Sequence, residues 1–180
     1  MKRRQLIARL MLVFVLAGSV AATGPVPRKS PDFSFTEPSG IHMRLSAFNG
    51  KVVVVEFLLT NCPHCLRIAK MLGKLHEELG PRGFQPVGVA FDPGVNAERA
   101  TNFSRLMGVP YPIGYTTSDK VDAYLGRALP ERFRVPQLVV IDRKGVIRAQ
   151  SRPIDEKNLE DEIYLRNLID TLLKEGSGSK

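Results

Sequence analysis

A mixed α/β sheet covered by helices is the fold class this sequence predicts, and three observations predict it. Short apolar runs alternate with segments of helical spacing. The run Val52–Leu59 is nearly continuous in apolar residues, as a strand buried on both faces requires. A second such run, Gln137–Ile141, leads through Asp142-Arg143-Lys144-Gly145 into Val146–Ala149, so one strand pair turns back as a hairpin and the sheet cannot be wholly parallel.

The chain opens with Lys2, Arg3 and Arg4, an apolar stretch from about Leu10 to Val20, and the small residues Ser19, Ala21 and Ala22. This is the pattern of a secretory signal over 1–22, cleaved after Ala21 or Ala22. The stretch is short against the roughly 20 residues that span a bilayer. An uncleaved anchor is the alternative reading, and only that one would place the protein on a membrane. No cysteine lies near the cleavage region, which argues against a lipoprotein. Residues 23–31 read as a tether, 32–174 as one domain, and 175–180 as a flexible tail.

Within the domain, Phe33 and Phe35, then Ile41 and Met43, alternate as in a hairpin turned at Pro38-Ser39-Gly40. Asn49-Gly50 turns into the strand 51–59. A helix starts at Pro63, a residue suited to the first helical position, and runs through Ile68, Leu72, Leu75 and Leu79 to Gly80-Pro81. Residues 84–91 form a second strand, with Pro86 marking a local edge or irregularity. A helix over 95–107 carries Ala97, Ala100, Phe103, Leu106 and Met107. An extended piece at 111–116 and a short helix at about 118–126 precede the strand 137–141. The last helix is expected over about 156–174, with Leu159, Ile163, Leu168, Ile169, Leu172 and Leu173 as its apolar members.

Charge excludes one function class. The chain has 26 basic and 18 acidic residues, a net +8. Four of the basic residues (Lys2, Arg3, Arg4, Arg9) fall in the signal, which leaves 22 against 18, or +4, beyond it. With no aromatic-rich basic segment, nucleic-acid binding has no support.

Chemistry concentrates in Cys62-Pro63-His64-Cys65, which holds the only two cysteines and directly follows the first strand. A helix N-terminus carries partial positive charge and unpaired N–H groups that stabilise a thiolate on the first cysteine. The thiolate is the species that attacks disulfides. A purely structural disulfide around two residues would constrain little of the unfolded chain. Haem attachment needs His after the second cysteine, where Leu66 stands, and His42 and His76 lack the paired spacing of a zinc site. Glu56 interrupts the apolar strand six positions before Cys62; a poorly solvated carboxylate there has a raised pKa and can exchange a proton with Cys65. His64 is placed to stabilise the Cys62 thiolate, in a class of motifs whose thiol pKa values span roughly 3.5–7. No bound cofactor is required.

Val-Val-Val-Val-Glu-Phe-Leu-Leu-Thr-Asn-Cys-Pro-His-Cys at 52–65 and Val-Pro-Gln-Leu-Val-Val-Ile-Asp-Arg-Lys-Gly at 135–145 resemble the thioredoxin superfamily. Pro-Asp-Phe at 31–33 and Leu-Ser-Ala-Phe-Asn-Gly-Lys at 45–51 add the leader of its TlpA/ResA-like (redoxin) branch, and the resemblance spans about 31–174. It implies a thioredoxin-like fold, a cis Pro136 facing the disulfide, and a Val135 backbone that hydrogen-bonds bound substrate. It also implies an exported thiol–disulfide oxidoreductase that acts on protein thiols or disulfides, with reduction of apocytochrome c among the suggested roles, and that is recharged by a separate redox partner protein. The sequence departs from the branch in two places. Asn61 stands where Trp is usual, and Pro-His between the cysteines is more typical of oxidising relatives. A peroxiredoxin would need Pro and Thr or Ser at the positions of Val55 and Leu59. Copper binding on the same fold, through both thiolates and a third ligand from His42, His76 or Met107, is the alternative function.

Overall fold

The computed structural model describes residues 24–127, 134–151 and 159–175. The expected signal segment and residues 176–180 of the expected tail lie outside these residues, while Glu175, expected to open the tail, is the last residue of a helix. Eight strands form one mixed sheet: β1 (Arg28–Lys29), β2 (Ser34–Thr36), β3 (His42–Arg44), β4 (Val52–Leu58), β5 (Phe84–Ala90), β6 (Ile113–Tyr115), β7 (Gln137–Ile141) and β8 (Val146–Gln150). Their spatial order is β1-β8-β7-β4-β5-β6-β2-β3. The helices are α1 (Pro63–Leu79), α2 (Ala97–Met107), α3 (Ser118–Leu125) and α4 (Glu162–Glu175). The mixed α/β expectation holds: β4, β5 and β6 run parallel, and β7 is antiparallel to both β4 and β8.

β4 lies between β5 and β7, and all seven of its residues are buried. Side chains alternate between the two sheet faces along a strand. Val52, Val54 and Leu58 therefore join Ile68, Leu72 and Leu75 of α1 and Leu165, Ile169 and Leu172 of α4 on one face. Val53, Val55 and Phe57 join Phe33 and the α3 residues Val121 and Leu125 on the other. Each such side chain, buried in full, contributes about 1.5–3 kcal/mol. The crossover from β4 to β5 uses α1, whose length matches the 17 residues expected from its apolar spacing and its Pro63 start.

Pro86 sits in the interior strand β5, yet beside a locally open ladder. Gly88 donates its N–H to the Pro112 carbonyl on the β6 side, so residue 86, two positions earlier, faces that same side. β6 pairs only with residues 88–90, and the missing N–H of proline costs no ladder bond. Gly114 lets the hairpin β2–β3 close on β6: a Cβ there would lie 2.3 Å from the Phe35 ring and 2.7 Å from the Thr36 carbonyl oxygen.

Three details differ from the expectations. Residues 28–29, within the segment read as a tether, pair with β8 instead. The last helix begins at Glu162, not near 156, because Asp161 caps it, its Oδ1 accepting the Tyr164 N–H at 2.8 Å. Leu159 is buried ahead of that helix while Ile163 is 73% exposed. On α2 only Ala100 and Phe103 are buried, and Leu106 points outward at 71% exposure.

Candidate active site

The end of β4 is shaped by one carboxylate. Asp92, just after β5, accepts the Thr60 N–H and hydroxyl at 2.9 Å each through Oδ1, and the N–H again at 3.0 Å through Oδ2. The Cys62 N–H then donates to the Leu59 carbonyl at 3.2 Å, and α1 begins. Cys62 is its N-cap with extended backbone, Pro63 takes the first helical position, and the Cys62 carbonyl accepts the Leu66 N–H at 3.1 Å. The sequence Asn-Cys-Pro thus stops a strand and starts a helix with the first thiol at the positive end of the macrodipole.

Both cysteines are free thiols, Cys62 half-buried and Cys65 fully buried. Burial pushes the Cys65 thiol far up; a Leu59 backbone hydrogen bond opposes this, while a hydrogen bond shared with Cys62 and the Glu56 charge add to it. The two thiols are thereby unequal: one reachable, one shielded and reluctant to ionise.

Val135 and Pro136 are joined by a cis peptide bond directly before β7. Because Gln137 pairs with Phe57, this turn lies at the same end of the sheet as the thiols. The Cys62 thiol approaches the Val135 carbonyl oxygen, Sγ to O 4.0 Å.

Glu56 has the parity of Val54 and Leu58, and so projects toward α1 rather than toward α3. It is wholly buried, and neither carboxyl oxygen has a hydrogen-bond partner among the described residues. Burial holds its pKa well above the ordinary 4.5, and the charges of Cys62 and Glu160 push in the same direction. An acid in this state holds its proton to higher pH than an exposed one, and its ionised form can take a proton from a buried thiol.

His64 occupies an exposed position in the first turn of α1. Its Nδ1 lies 3.9 Å from the Glu160 carboxylate, which also accepts from Arg67 at 3.0 Å. Glu160 and Tyr111 are site residues that the sequence reading missed. Tyr111 is buried against α1, its hydroxyl donating to the Ala69 carbonyl at 3.1 Å; burial raises its pKa, with Glu56 contributing. Neither carries a local motif signal, since one precedes the cap of α4 and the other sits in the 111–116 connection.

Of the copper ligands considered, His42 is on β3, hydrogen-bonded to Thr36 at 3.1 Å. His76 lies near the far end of α1 beside Phe84 and Tyr111. Among the described residues no three His, Cys, Asp or Glu side chains converge as a metal site.

A helix-start dithiol, one thiol reachable and one buried beside a buried acid, on this sheet, defines a thiol–disulfide oxidoreductase of the thioredoxin-like class. The chain belongs to the AhpC/TSA family, whose model matches residues 26–150. It is 26% identical to the thiol–disulfide oxidoreductase ResA of Geobacillus kaustophilus over 160 residues, 82% of this chain and 87% of that protein. It is 24% identical to ResA of Bacillus anthracis, covering 93% of this chain and 99% of that one. Among solved structures, a thioredoxin-family thiol:disulfide interchange protein of Chlorobium tepidum superposes with a TM-score of 0.66 at 22% identity, covering 83% of this chain and 99% of that one. The positions a peroxiredoxin would fill with Pro and a hydroxyl residue are held here by Val55, wholly buried, and Leu59.

Proposed function

We propose that this chain is an exported enzyme that exchanges disulfides with protein substrates, apocytochrome c thiols among them, through a reversible Cys62–Cys65 disulfide. The observation that carries the reading is the asymmetry of the two thiols, with Cys62 reachable beside the Val135 carbonyl and Cys65 buried behind it with Glu56. The basic and apolar N-terminal segment supports export. The branch resemblance supports envelope proteins as substrates and a separate redox partner.

In the reducing direction the Cys62 thiolate attacks a substrate disulfide, forming a mixed disulfide and expelling one substrate thiolate. Cys65 then gives its proton to the ionised form of Glu56 and attacks the Cys62 sulfur. The second substrate thiol leaves and the Cys62–Cys65 disulfide forms, two electrons having passed to the substrate. Val135 and Pro136 border the attacking sulfur and form the platform on which the substrate chain lies. His64, at the exposed helix start, tunes the Cys62 thiolate.

Insulin-disulfide reduction with dithiothreitol tests the reading. Native protein should accelerate it, Cys62→Ser should not, and Cys65→Ser should accumulate the mixed disulfide. A Cys62→Ser variant as active as the native protein would sink the proposal. The reduction potential of the pair fixes the direction: a value near about −270 mV marks a reductant, one near about −120 mV an oxidant.

A further inference from the structure

A groove of about 690 Å³ starts at Pro63, one residue beyond the reachable thiol. One wall is a single stripe of α1: Pro63, Leu66, Arg67, Lys70, Met71 and Lys74 follow the i, i+3, i+4, i+7 rule. Met107 at the end of α2 and the 160–162 segment close the other side. From Pro63 to Lys74 the stripe rises about 17 Å at 1.5 Å per residue, the span of about five extended residues.

The charges on the two walls differ in how they are used. Most of the acidic wall is paired internally: Glu160 takes Arg67 and Glu162 takes Arg166, while Asp161 caps α4 and closes no ion pair among the described residues. On the basic wall Lys70 and Lys74 are exposed and close no ion pair among the described residues, Glu78 near Lys74 being held by Arg166. Between them Leu66 and Met71 supply an apolar floor. The unpaired groups of the groove are then two lysines against the one carboxylate of Asp161, a net positive balance, and the lysines run away from the nucleophile along one line.

We propose that this groove receives an acidic, partly apolar extended segment of the partner protein whose cysteine is being attacked by Cys62. The proposal rests on the dithiol reading above. It adds the surface that selects among partners, with Lys70 and Lys74 as the selecting residues. Opposite charge across a surface of this kind acts on encounter, raising association rates about 10-fold or more at low salt.

The test uses three probes. Two are synthetic peptides, each with one cysteine activated as its 2-thiopyridyl disulfide and flanked on both sides by Leu and Glu in one, by Leu and Lys in the other. The third is 2-hydroxyethyl disulfide, small and uncharged. Cys62 thiolate attack on either peptide releases thiopyridone, which is followed directly, and each rate is divided by the same protein's rate with the small disulfide. The native protein should favour the Glu peptide about 10-fold at low ionic strength, and the preference should shrink as the Debye length falls to about 10 Å at 0.1 M salt. Lys70→Glu with Lys74→Glu should abolish or invert it. Equal rates for the two peptides, a preference for the Lys peptide, or a preference indifferent to salt would overturn the docking surface. Because the domain as a whole is basic, a control reversal outside the groove, Lys120→Glu with Lys144→Glu, makes the same change in net charge and should leave the preference largely in place; equal loss in both double variants would overturn the docking surface. Absence of any reaction with 2-hydroxyethyl disulfide would instead overturn the dithiol reading itself.

Discussion

Asp92 holds Thr60 by its backbone N–H and its hydroxyl together, and so fixes the turn that presents Cys62 two residues later. The carboxylate is almost wholly buried, its side chain only 4% exposed. Thr60→Val keeps the N–H bond and loses the hydroxyl bond, at a cost of about 1–2 kcal/mol. Asp92→Ala also strands the Thr60 N–H, and should cost about 3 kcal/mol. Urea unfolding of both variants beside the native protein measures the order, and a Thr60→Val variant less stable than Asp92→Ala would contradict this account.

Burial predicts a large difference in reactivity between the thiols. Under native conditions iodoacetamide should place one label per chain, on Cys62, because Cys65 is fully buried and its thiol is pushed far above its ordinary pKa, first by that burial. In denaturant both should react. Peptide mapping by mass spectrometry reads the positions. Labelling of Cys65 at the native rate of Cys62 would mean that the buried thiol is not shielded.

Much of this site was legible because its chemistry is local. Cys62, Pro63 and Cys65 announce a helix start by adjacency, and Glu56 stands out as a lone charge in an apolar strand. The strand 137–141 was readable from its own composition, whereas the place of Pro136 in the site came only from the resemblance to the thioredoxin superfamily. Glu160, Tyr111 and Asp92 were not legible in the same way. Each acts through a contact that joins elements distant in sequence: Asp92 reaches Thr60 across 32 positions, and Glu160 reaches Arg67 across 93. No periodicity records such a contact. The start of α4 was misplaced for a related reason. Leu159 is apolar and buried and so resembles a helix position, whereas the boundary is set by the Asp161 cap.

The raised pKa of Glu56 makes stability fall with pH. The folded chain keeps the proton that an unfolded chain releases above about 4.5, so the native state binds more protons through that window and loses stability as pH rises toward the folded pKa. Glu56→Gln removes this dependence. The stability of the Gln variant relative to the native protein should grow from pH 4.5 to pH 8, read from urea midpoints at each pH. A difference that stays flat, or that grows in favour of the native protein, would show that Glu56 ionises in the fold as it does in water.

The same acid should set the pH dependence of the second chemical step. Reaction of the reduced protein with 5,5′-dithiobis(2-nitrobenzoate) releases one thionitrobenzoate when Cys62 attacks and a second when Cys65 resolves the mixed disulfide, so the two steps appear as two phases. Cys65 is held protonated by burial and needs a base; Glu56 is available as one only in its ionised fraction, which grows with pH through its elevated pKa. The second phase should therefore quicken with pH across that range. Glu56→Gln should lose that rising limb and slow the phase by about 100-fold, within the usual reach of proton transfer by a positioned group. The first phase should keep its native pH profile, because the attacking Cys62 is the half-exposed thiol at the helix start. Cys65→Ser should show the first phase alone. Equal slowing of both phases in Glu56→Gln would point to a damaged fold, and an unchanged second phase would remove Glu56 from the proton path.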